Sequence, residues 1–145
     1  MVRPVVDFGA AADDYARYRP GFPNAFFDRV REYGIGVPGQ RILDLGCGTG
    51  TLARGFAQRG CWTVGIDPSP EMLQQARAMA EQEHLTVHCV RAWAEASGCA
   101  AASFDVVCAG QSWHWFDGYQ AALETKRVLR PGGTIVLAYF TYLSD

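Results

Sequence analysis

Five short apolar runs of strand length alternate with helical patterns along most of the chain. Several of these runs are nearly continuous in apolar residues, which is typical of strands that are covered on both faces. The alternation indicates crossover connections, so the sequence predicts an α/β domain with a parallel sheet and helices on both sides. The predicted strands are residues 41–45, 62–66, 85–90, 104–109 and 134–140.

Helical periodicity fills most of the gaps between these strands. Gly60 ends the helix after the first strand, and Ser69 with Pro70 begins the helix after the second. Residues 92–103 are rich in Ala and Ser, which predicts a loop with a short helical turn. Pro131-Gly132-Gly133 is expected to break the last helix and turn the chain into the fifth strand. Before the sheet, residues 11–18 and 24–33 are predicted to be helical.

Composition narrows the class of protein. The chain has 145 residues, of which 49% are hydrophobic and 19% charged, and this is ordinary for one globular domain. The net charge is −2 and no run of Lys or Arg forms a basic stripe, so nucleic acid is not an expected partner. No apolar stretch approaches the roughly 18 residues that span a bilayer, and the N-terminus has no secretory pattern.

The spacing of the five cysteines matches neither a metal site nor a disulfide framework. They lack a Cys-x-x-Cys pair and paired histidines, so neither a disulfide framework nor a zinc site is predicted, and no metal is expected. Cys61, Cys89 and Cys108 lie in or beside apolar runs, where a thiol behaves as a small buried hydrophobe. A reducing cytoplasm is the compartment that fits this cysteine usage.

A glycine-rich loop and two aspartates form the candidate ligand site. Gly46, Gly48 and Gly50 follow the first predicted strand, where the backbone can turn sharply and a ligand can approach without meeting a Cβ. Asp67 ends the second strand, and in doubly wound sheets ligands bind outside the carboxyl ends of the strands. A carboxylate there can accept hydrogen bonds from both hydroxyls of an adenosine ribose.

A dinucleotide is the competing ligand, because Gly48-x-Gly50-x-x-Ala53 also satisfies the dinucleotide-binding fingerprint. Asp44 argues against it, since a carboxylate just before the loop would repel a pyrophosphate. The same carboxylate suits the ammonium of a methionine group, directly or through water. The pattern therefore favours S-adenosylmethionine over a nicotinamide cofactor.

Three motifs resemble the class I S-adenosylmethionine-dependent methyltransferases in order and spacing: residues 44–50, residues 65–73 and residues 127–133. Residues 15–23 and 113–117 resemble more narrowly the methyltransferase type 11 group, which includes enzymes similar to trans-aconitate methyltransferase. The resemblance implies a Rossmann-like sheet of five parallel strands in the order 3-2-1-4-5. It also implies a helical lead-in at residues 1–36 before a core at residues 37–145.

The resemblance further implies which residues contact S-adenosyl-L-methionine. The backbone of the glycine loop would line the methionine moiety, Asp67 would bind the ribose, and the segment after the third strand would meet the adenine. Gln111 would border the methyl-donor end, and Tyr15 and Arg19 would close over the methionine carboxylate. The expected contacts are Tyr15, Arg19, Asp44, Gly46, Cys47, Gly48, Gly50, Asp67, Pro68, Ser69, Trp93, Ala94 and Gln111.

Each of these side chains also has a purely structural interpretation. Asp67 can be a turn residue, Asp44 a buried acid satisfied by nearby amides, and Arg19 a solvated side chain. His114 is the candidate general base, but a histidine between two tryptophans is often packed or hydrogen-bonded for structural reasons. The neighbouring aromatic residues can wall a substrate pocket or pack a helix on the sheet.

The segment after the fourth strand lacks the Asn/Asp-Pro-Pro-Tyr tract of nucleic-acid amino methylators, so a small-molecule acceptor with an O, N or C nucleophile is expected. The chain stops just after the fifth strand, before the antiparallel strand pair of the resembled family. We therefore expect a fragment, or a fifth-strand edge that another chain covers in a homodimer. A cofactor-binding module without turnover and a nicotinamide oxidoreductase are the alternative functions.

Overall fold

The computed structural model describes residues 21–140, which form one five-stranded parallel sheet with helices on both faces. The strands lie in the order third, second, first, fourth, fifth, which confirms the expected topology. In chain order the elements are α1 (Asn24–Arg31), β1 (Arg41–Leu45), α2 (Thr51–Gln58), β2 (Trp62–Asp67), α3 (Pro70–Gln82), β3 (His88–Arg91), β4 (Phe104–Gly110), a 3₁₀ helix (Trp113–Trp115), α4 (Gly118–Val128) and β5 (Leu129–Ala138).

Two hydrophobic clusters cover the two faces of the sheet. Successive residues of a strand point to opposite faces, so Ile42 joins one cluster and Leu43 the other. The first cluster contains Phe27 of α1 and Phe56 of α2, whose rings meet edge to face at 5.0 Å. The second contains Val128 of α4. Both faces of the central strands are therefore buried, which explains their nearly continuous apolar sequence.

The third strand begins three residues later than predicted, because the chain is still bonded to the end of α3 at Leu85. His84 has a φ of 57°, and the amide of Leu85 donates to the Ala80 carbonyl at 2.8 Å. This left-handed turn closes the helix with Leu85, so residues 85–87 do not pair and β3 begins at His88.

The fifth strand begins earlier and ends earlier than predicted. Leu129 already pairs with Phe104, and the next paired residue of β5 is Thr134, opposite Val106. Pro131-Gly132-Gly133 therefore forms a bulge inside the pairing instead of a turn before it, with Gly132 at a φ of 80°. The amide of Gln111 bonds to the Ala138 carbonyl at 2.8 Å, and the strand ends there.

Residues 92–103 contain no helical turn, contrary to the prediction. Trp93 and Ala96 form an isolated antiparallel bridge. The part of the loop that follows is hydrogen-bonded to side chains of α4. Glu124 accepts hydrogen bonds from the Ser97 amide at 2.7 Å and the Ser97 hydroxyl at 2.8 Å, and it pairs with Arg127. These partners replace the local hydrogen bonds that a helix would have supplied.

The predicted helix at residues 11–18 lies outside the described residues. Among residues 21–140, no helix is long and apolar enough to cross a membrane. In the same part of the chain, no group of three or more His, Cys, Asp or Glu side chains could hold a metal ion.

The contacts of Glu124 predict an acid-dependent loss of stability. The Arg127 guanidinium and the Ser97 donors hold the pKa of this carboxyl at about 2, below its ordinary value of 4.5. The stabilisation is therefore complete above pH 4.5 and is lost as the pH falls towards 2. Glu124→Gln is expected to lower the free energy of unfolding at pH 7 by about 1–3 kcal/mol.

Urea unfolding at pH 7 and at pH 2.5 measures this effect, with the exposed Glu71→Gln as the control. The difference between wild type and Glu124→Gln should shrink at the lower pH. A difference that stays constant between the two pH values would contradict the assignment.

Candidate functional site

The chain reverses sharply between β1 and α2 through three glycines in the left-handed region. Gly46, Gly48 and Gly50 have φ values of 59°, 55° and 83°, which residues other than glycine rarely adopt. The Cys47 amide bonds to the Ile66 carbonyl at 2.9 Å, so the loop stays attached to the end of β2. The result is a compact loop at the carboxyl edge of the sheet, beside the start of α2.

The first glycine also allows the segment after β4 to approach. A Cβ on Gly46 would lie 3.0 Å from the Phe116 ring and 3.0 Å from the Ser112 Cβ. The Ser112 hydroxyl donates to the Leu45 carbonyl at 2.9 Å. The glycine loop and the segment after β4 therefore form adjoining walls of one site.

Asp67 joins the two loops that leave β1 and β2. One carboxylate oxygen accepts from the Gly48 amide at 3.0 Å, and the other accepts from the Ser69 amide at 2.9 Å. Burial raises the pKa of Asp67, and the two backbone bonds oppose this shift. Each carboxylate oxygen has two acceptor positions, so the side chain can accept further hydrogen bonds at this edge.

Asp44 is deeply buried below the loop, with 2% of its surface exposed. It accepts a hydrogen bond from the Ala53 amide at 3.2 Å and one from the Cys108 thiol. Burial raises the pKa of the Asp44 carboxyl from 3.8 to about 7. Among the described residues no ion pair involves this carboxyl, so its negative charge has no cationic partner there.

The next strand supplies a second part of the carboxyl edge. Trp93 follows β3 and is 53% exposed, whereas Ala94 is buried. The Arg91 guanidinium donates to the Pro68 carbonyl at 2.9 Å and lies 5.9 Å from the Trp93 ring. Ser69 caps α3, since its hydroxyl accepts from the Met72 amide at 3.2 Å. The exposed Trp93 side chain therefore lies at the same carboxyl edge of the sheet as Asp67.

The segment after β4 gathers aromatic side chains around His114. Gln111 has a φ of 54°, which turns the chain out of the strand into the 3₁₀ helix. The exposed His114 ring lies 4.6 Å from Trp115 and 6.0 Å from Tyr139, measured between ring centroids. The structure therefore places the candidate base within an aromatic cluster.

Comparison with protein families decides the affiliation. A family model described as a methyltransferase domain, that of the type 11 methyltransferases, matches residues 43–137, well over half of the chain. The chain belongs to the type 11 methyltransferase family.

Relatives of this methyltransferase domain are longer than the chain. The chain is 39% identical over 136 residues to an uncharacterized methyltransferase of Mycobacterium tuberculosis, and the match covers 94% of the chain and 53% of the relative. It is 40% identical over 106 residues to a malonyl-[acyl-carrier protein] O-methyltransferase of Enterobacter lignolyticus, covering 72% and 40%. The chain therefore spans about half the length, or less, of these relatives.

A solved structure supports the same fold. The methyltransferase domain superimposes with a TM-score of 0.82 on a protein from Methanococcus maripaludis that is provisionally assigned to the S-adenosyl-L-methionine-dependent methyltransferases. The overlap covers 96% of the chain and 67% of that protein at 19% identity, so it shows the fold alone. The family implies S-adenosyl-L-methionine as the cofactor, which sets the nicotinamide alternative aside.

The residues of the methyltransferase domain fit this cofactor. Asp67 can accept from ribose hydroxyls, and Asp44 is a buried carboxylate without a cationic partner among the described residues, as a methionine ammonium would require. Tyr15 and Arg19, expected to close over the methionine carboxylate, lie outside the described residues.

Sequence reasoning overlooked three polar residues that bond to the segments of the candidate site. Ser112 bonds to the Leu45 carbonyl, Glu95 accepts from the Asp117 amide at 2.8 Å, and Arg54 donates to the Thr49 carbonyl at 3.2 Å. Ser112 and Glu95 stand in irregular segments without periodicity. Arg54 stands on a helix whose apolar stripe does not include it, so no pattern in the sequence marked it.

The burial of Asp44 predicts opposite effects of one substitution on stability and on binding. A carboxyl with a folded-state pKa of about 7 stabilises the fold below pH 4 and loses that contribution as the pH rises through 7. Asp44→Asn removes this cost, so the ligand-free variant should exceed wild type at pH 8 by about 1–4 kcal/mol in free energy of unfolding. Affinity for S-adenosylhomocysteine should fall, because the ammonium loses its counter-charge.

Urea unfolding at pH 4 and pH 8, together with calorimetry at pH 8, tests both effects. Asp28→Asn, on the exposed face of α1, serves as the control. If Asp44→Asn were no more stable than wild type at pH 8, the buried charge would have to be compensated within the folded chain.

Proposed function

We propose that this chain carries out S-adenosylmethionine-dependent methyl transfer to a small-molecule acceptor. The observation that carries the proposal is Asp67, whose carboxylate lies at the carboxyl edge between the Gly48 and Ser69 amides. A hydrogen-bond acceptor at this point, next to a loop with glycine at three of its five positions, matches the two hydroxyls of a ribose. In doubly wound sheets ligands bind outside the carboxyl ends of the strands, where Asp67 stands.

The residues at this edge divide the binding of the cofactor among them. Asp67 would hold the ribose, and Pro68, Ser69, Trp93 and Ala94 would border the adenosine. Asp44 and the backbone of Gly46, Cys47, Gly48 and Gly50 would hold the methionine end, with Gln111 beside the methyl group. When bound, S-adenosylmethionine supplies an activated sulfonium methyl group. The protein then mainly contributes alignment, which in well-aligned reactions accounts for roughly 7–11 kcal/mol of the barrier.

The acceptor side is the aromatic cluster formed by the segment after β4 and by Tyr139, which follows β5. His114, Trp115 and Tyr139 offer an apolar surface with one imidazole, which favours a small acceptor with an O, N or C nucleophile. The O-methyltransferase among the relatives supports oxygen as the first acceptor atom to test. In this proposal His114 removes a proton when the nucleophile retains one at neutral pH.

Titration calorimetry with S-adenosylhomocysteine tests the proposal. Wild type should bind, and Asp67→Ala should weaken binding at least tenfold, because the ribose hydroxyls lose their acceptor. Asp28→Ala, an exposed aspartate on α1, is the matched control and should bind as wild type does. Equal affinity of wild type and Asp67→Ala would contradict the ribose assignment.

Turnover needs a separate assay, because the chain spans about half of its relatives. Formation of S-adenosylhomocysteine in the presence of candidate acceptors supports an enzyme. Binding without any turnover supports instead a cofactor-binding module. A thermal shift with NAD but none with S-adenosylhomocysteine would revive the oxidoreductase alternative.

We further propose a homodimer through the fifth strand. Among the described residues β5 pairs only with β4, which leaves its other edge open. Ile135 and Leu137 are 42% and 44% exposed on this edge strand, and such an edge readily pairs with another strand.

The free cysteine thiols support a reducing compartment such as the cytoplasm.

Sedimentation equilibrium over a range of concentrations tests the dimer. Leu137→Lys should weaken self-association by at least tenfold, because a charge would replace an apolar cross-strand contact on one face of the joined sheet. Thr134→Lys, exposed on the opposite face of the same strand, is the matched control. A wild-type chain that stays monomeric at every concentration would contradict the dimer.

A further inference from the structure

Arg54 is an unusual residue for its position on α2. It is only 9% exposed, although arginine is rarely buried unless its charge is paired. Its neighbours Leu52, Ala53 and Phe56 supply the apolar contacts of the helix with the core. The buried guanidinium therefore needs another explanation.

Two hydrogen bonds give the guanidinium a defined place. Its Nε donates to the Thr49 carbonyl at 3.2 Å, in the middle of the glycine loop. Its Nη1 forms a close ion pair with Glu83, the residue that caps the end of α3. The side chain also passes beneath Gly50, where a Cβ would lie 3.7 Å from the Arg54 Cγ.

The bonded carbonyl belongs to the peptide between Thr49 and Gly50. The amide of this peptide, that of Gly50, donates to the Cys47 carbonyl at 2.8 Å, and Gly48 and Gly50 on either side of Thr49 both have positive φ. Thr49 itself is buried, and the Arg54 guanidinium is the charged donor to the Thr49 carbonyl. A rotated peptide would lose this bond and would redirect the loop amides that border the methionine end of the cofactor.

We propose that Arg54 is a positioning residue for S-adenosylmethionine, acting by holding the Thr49–Gly50 peptide of the glycine loop in its binding orientation. This inference rests on the proposed function, in which the glycine loop lines the cofactor. Glu83 holds the far side of the guanidinium and is 34% exposed on its side chain, so water can solvate its carboxylate when the arginine is removed.

Three variants, together with the conservative Arg54→Lys, separate a role of Arg54 in positioning the loop from a role in stabilising the fold. Arg54→Met keeps the bulk of the side chain and loses both bonds. Glu83→Gln loses the ion pair and keeps the Arg54 bond to Thr49. Arg77→Met, an arginine of α3 that bonds to the Cys89 carbonyl and does not contact the glycine loop, is the matched control.

The expected result is a tenfold or greater loss of S-adenosylhomocysteine affinity in Arg54→Met, measured by calorimetry. Glu83→Gln and Arg77→Met should bind within about twofold of wild type, even where their melting temperatures fall. Amide NMR of the ligand-free protein should show shifted Gly48 and Gly50 signals in Arg54→Met, and unchanged signals in the two other variants. Arg54→Lys, which keeps a positive charge beside Glu83 and so keeps the fold, should bind at an intermediate affinity.

The outcomes distinguish this inference from the proposal on which it rests. If wild type binds and Arg54→Met or Arg54→Lys binds equally well, only the role of Arg54 is overturned. If affinity follows melting temperature across all variants, Arg54 is merely structural and the inference is wrong. If wild type itself does not bind S-adenosylhomocysteine, the proposed function and this inference fall together.

Discussion

The hydrogen bond from the Gly48 amide to Asp67 holds together the two chain reversals on which the site depends. The reversal after β1 has positive φ at its glycines, so its local preferences are weak and tertiary bonds must hold its shape. Asp67 lies at the start of the second reversal and also accepts from the Ser69 amide. Because β1 and β2 are parallel neighbours, both reversals meet at one edge, and one carboxylate can organise both.

The two aspartates of this edge differ because their surroundings differ. Asp67 stands at the mouth of the site, where backbone amides stabilise its charge against the effect of burial. Asp44 lies one layer deeper, where burial outweighs the bond from Ala53 and raises the pKa to about 7. A buried carboxylate of this kind lowers the free energy of unfolding of the ligand-free protein. A cationic group of a ligand is the partner that would offset this loss.

The sequence alone predicted the order of the strands and the glycine loop after β1, whereas the residues that contact the cofactor stay a prediction. Strands β1, β2 and β4 are buried on both faces, so a largely apolar run identified each to within one residue. Predictions failed where a local signal competed with a tertiary one. Residues 85–87 have strand composition, but Leu85 bonds back to Ala80 of α3 and the pairing with β2 begins only at His88. Pro131-Gly132-Gly133 is a turn signal that became a bulge, because Leu129 already pairs with Phe104.

The sequence by itself determined the order of elements, the glycine loop and the carboxylate at the end of β2, because these depend on neighbouring residues and on the periodicity of burial. Only the tertiary structure decided which polar groups meet across the fold. Arg54 reaches Glu83, Ser97 reaches Glu124 and Ser112 reaches Leu45, each over a long stretch of chain. A hydrogen bond between such distant residues depends on how the elements pack, and no local pattern of residues encodes it.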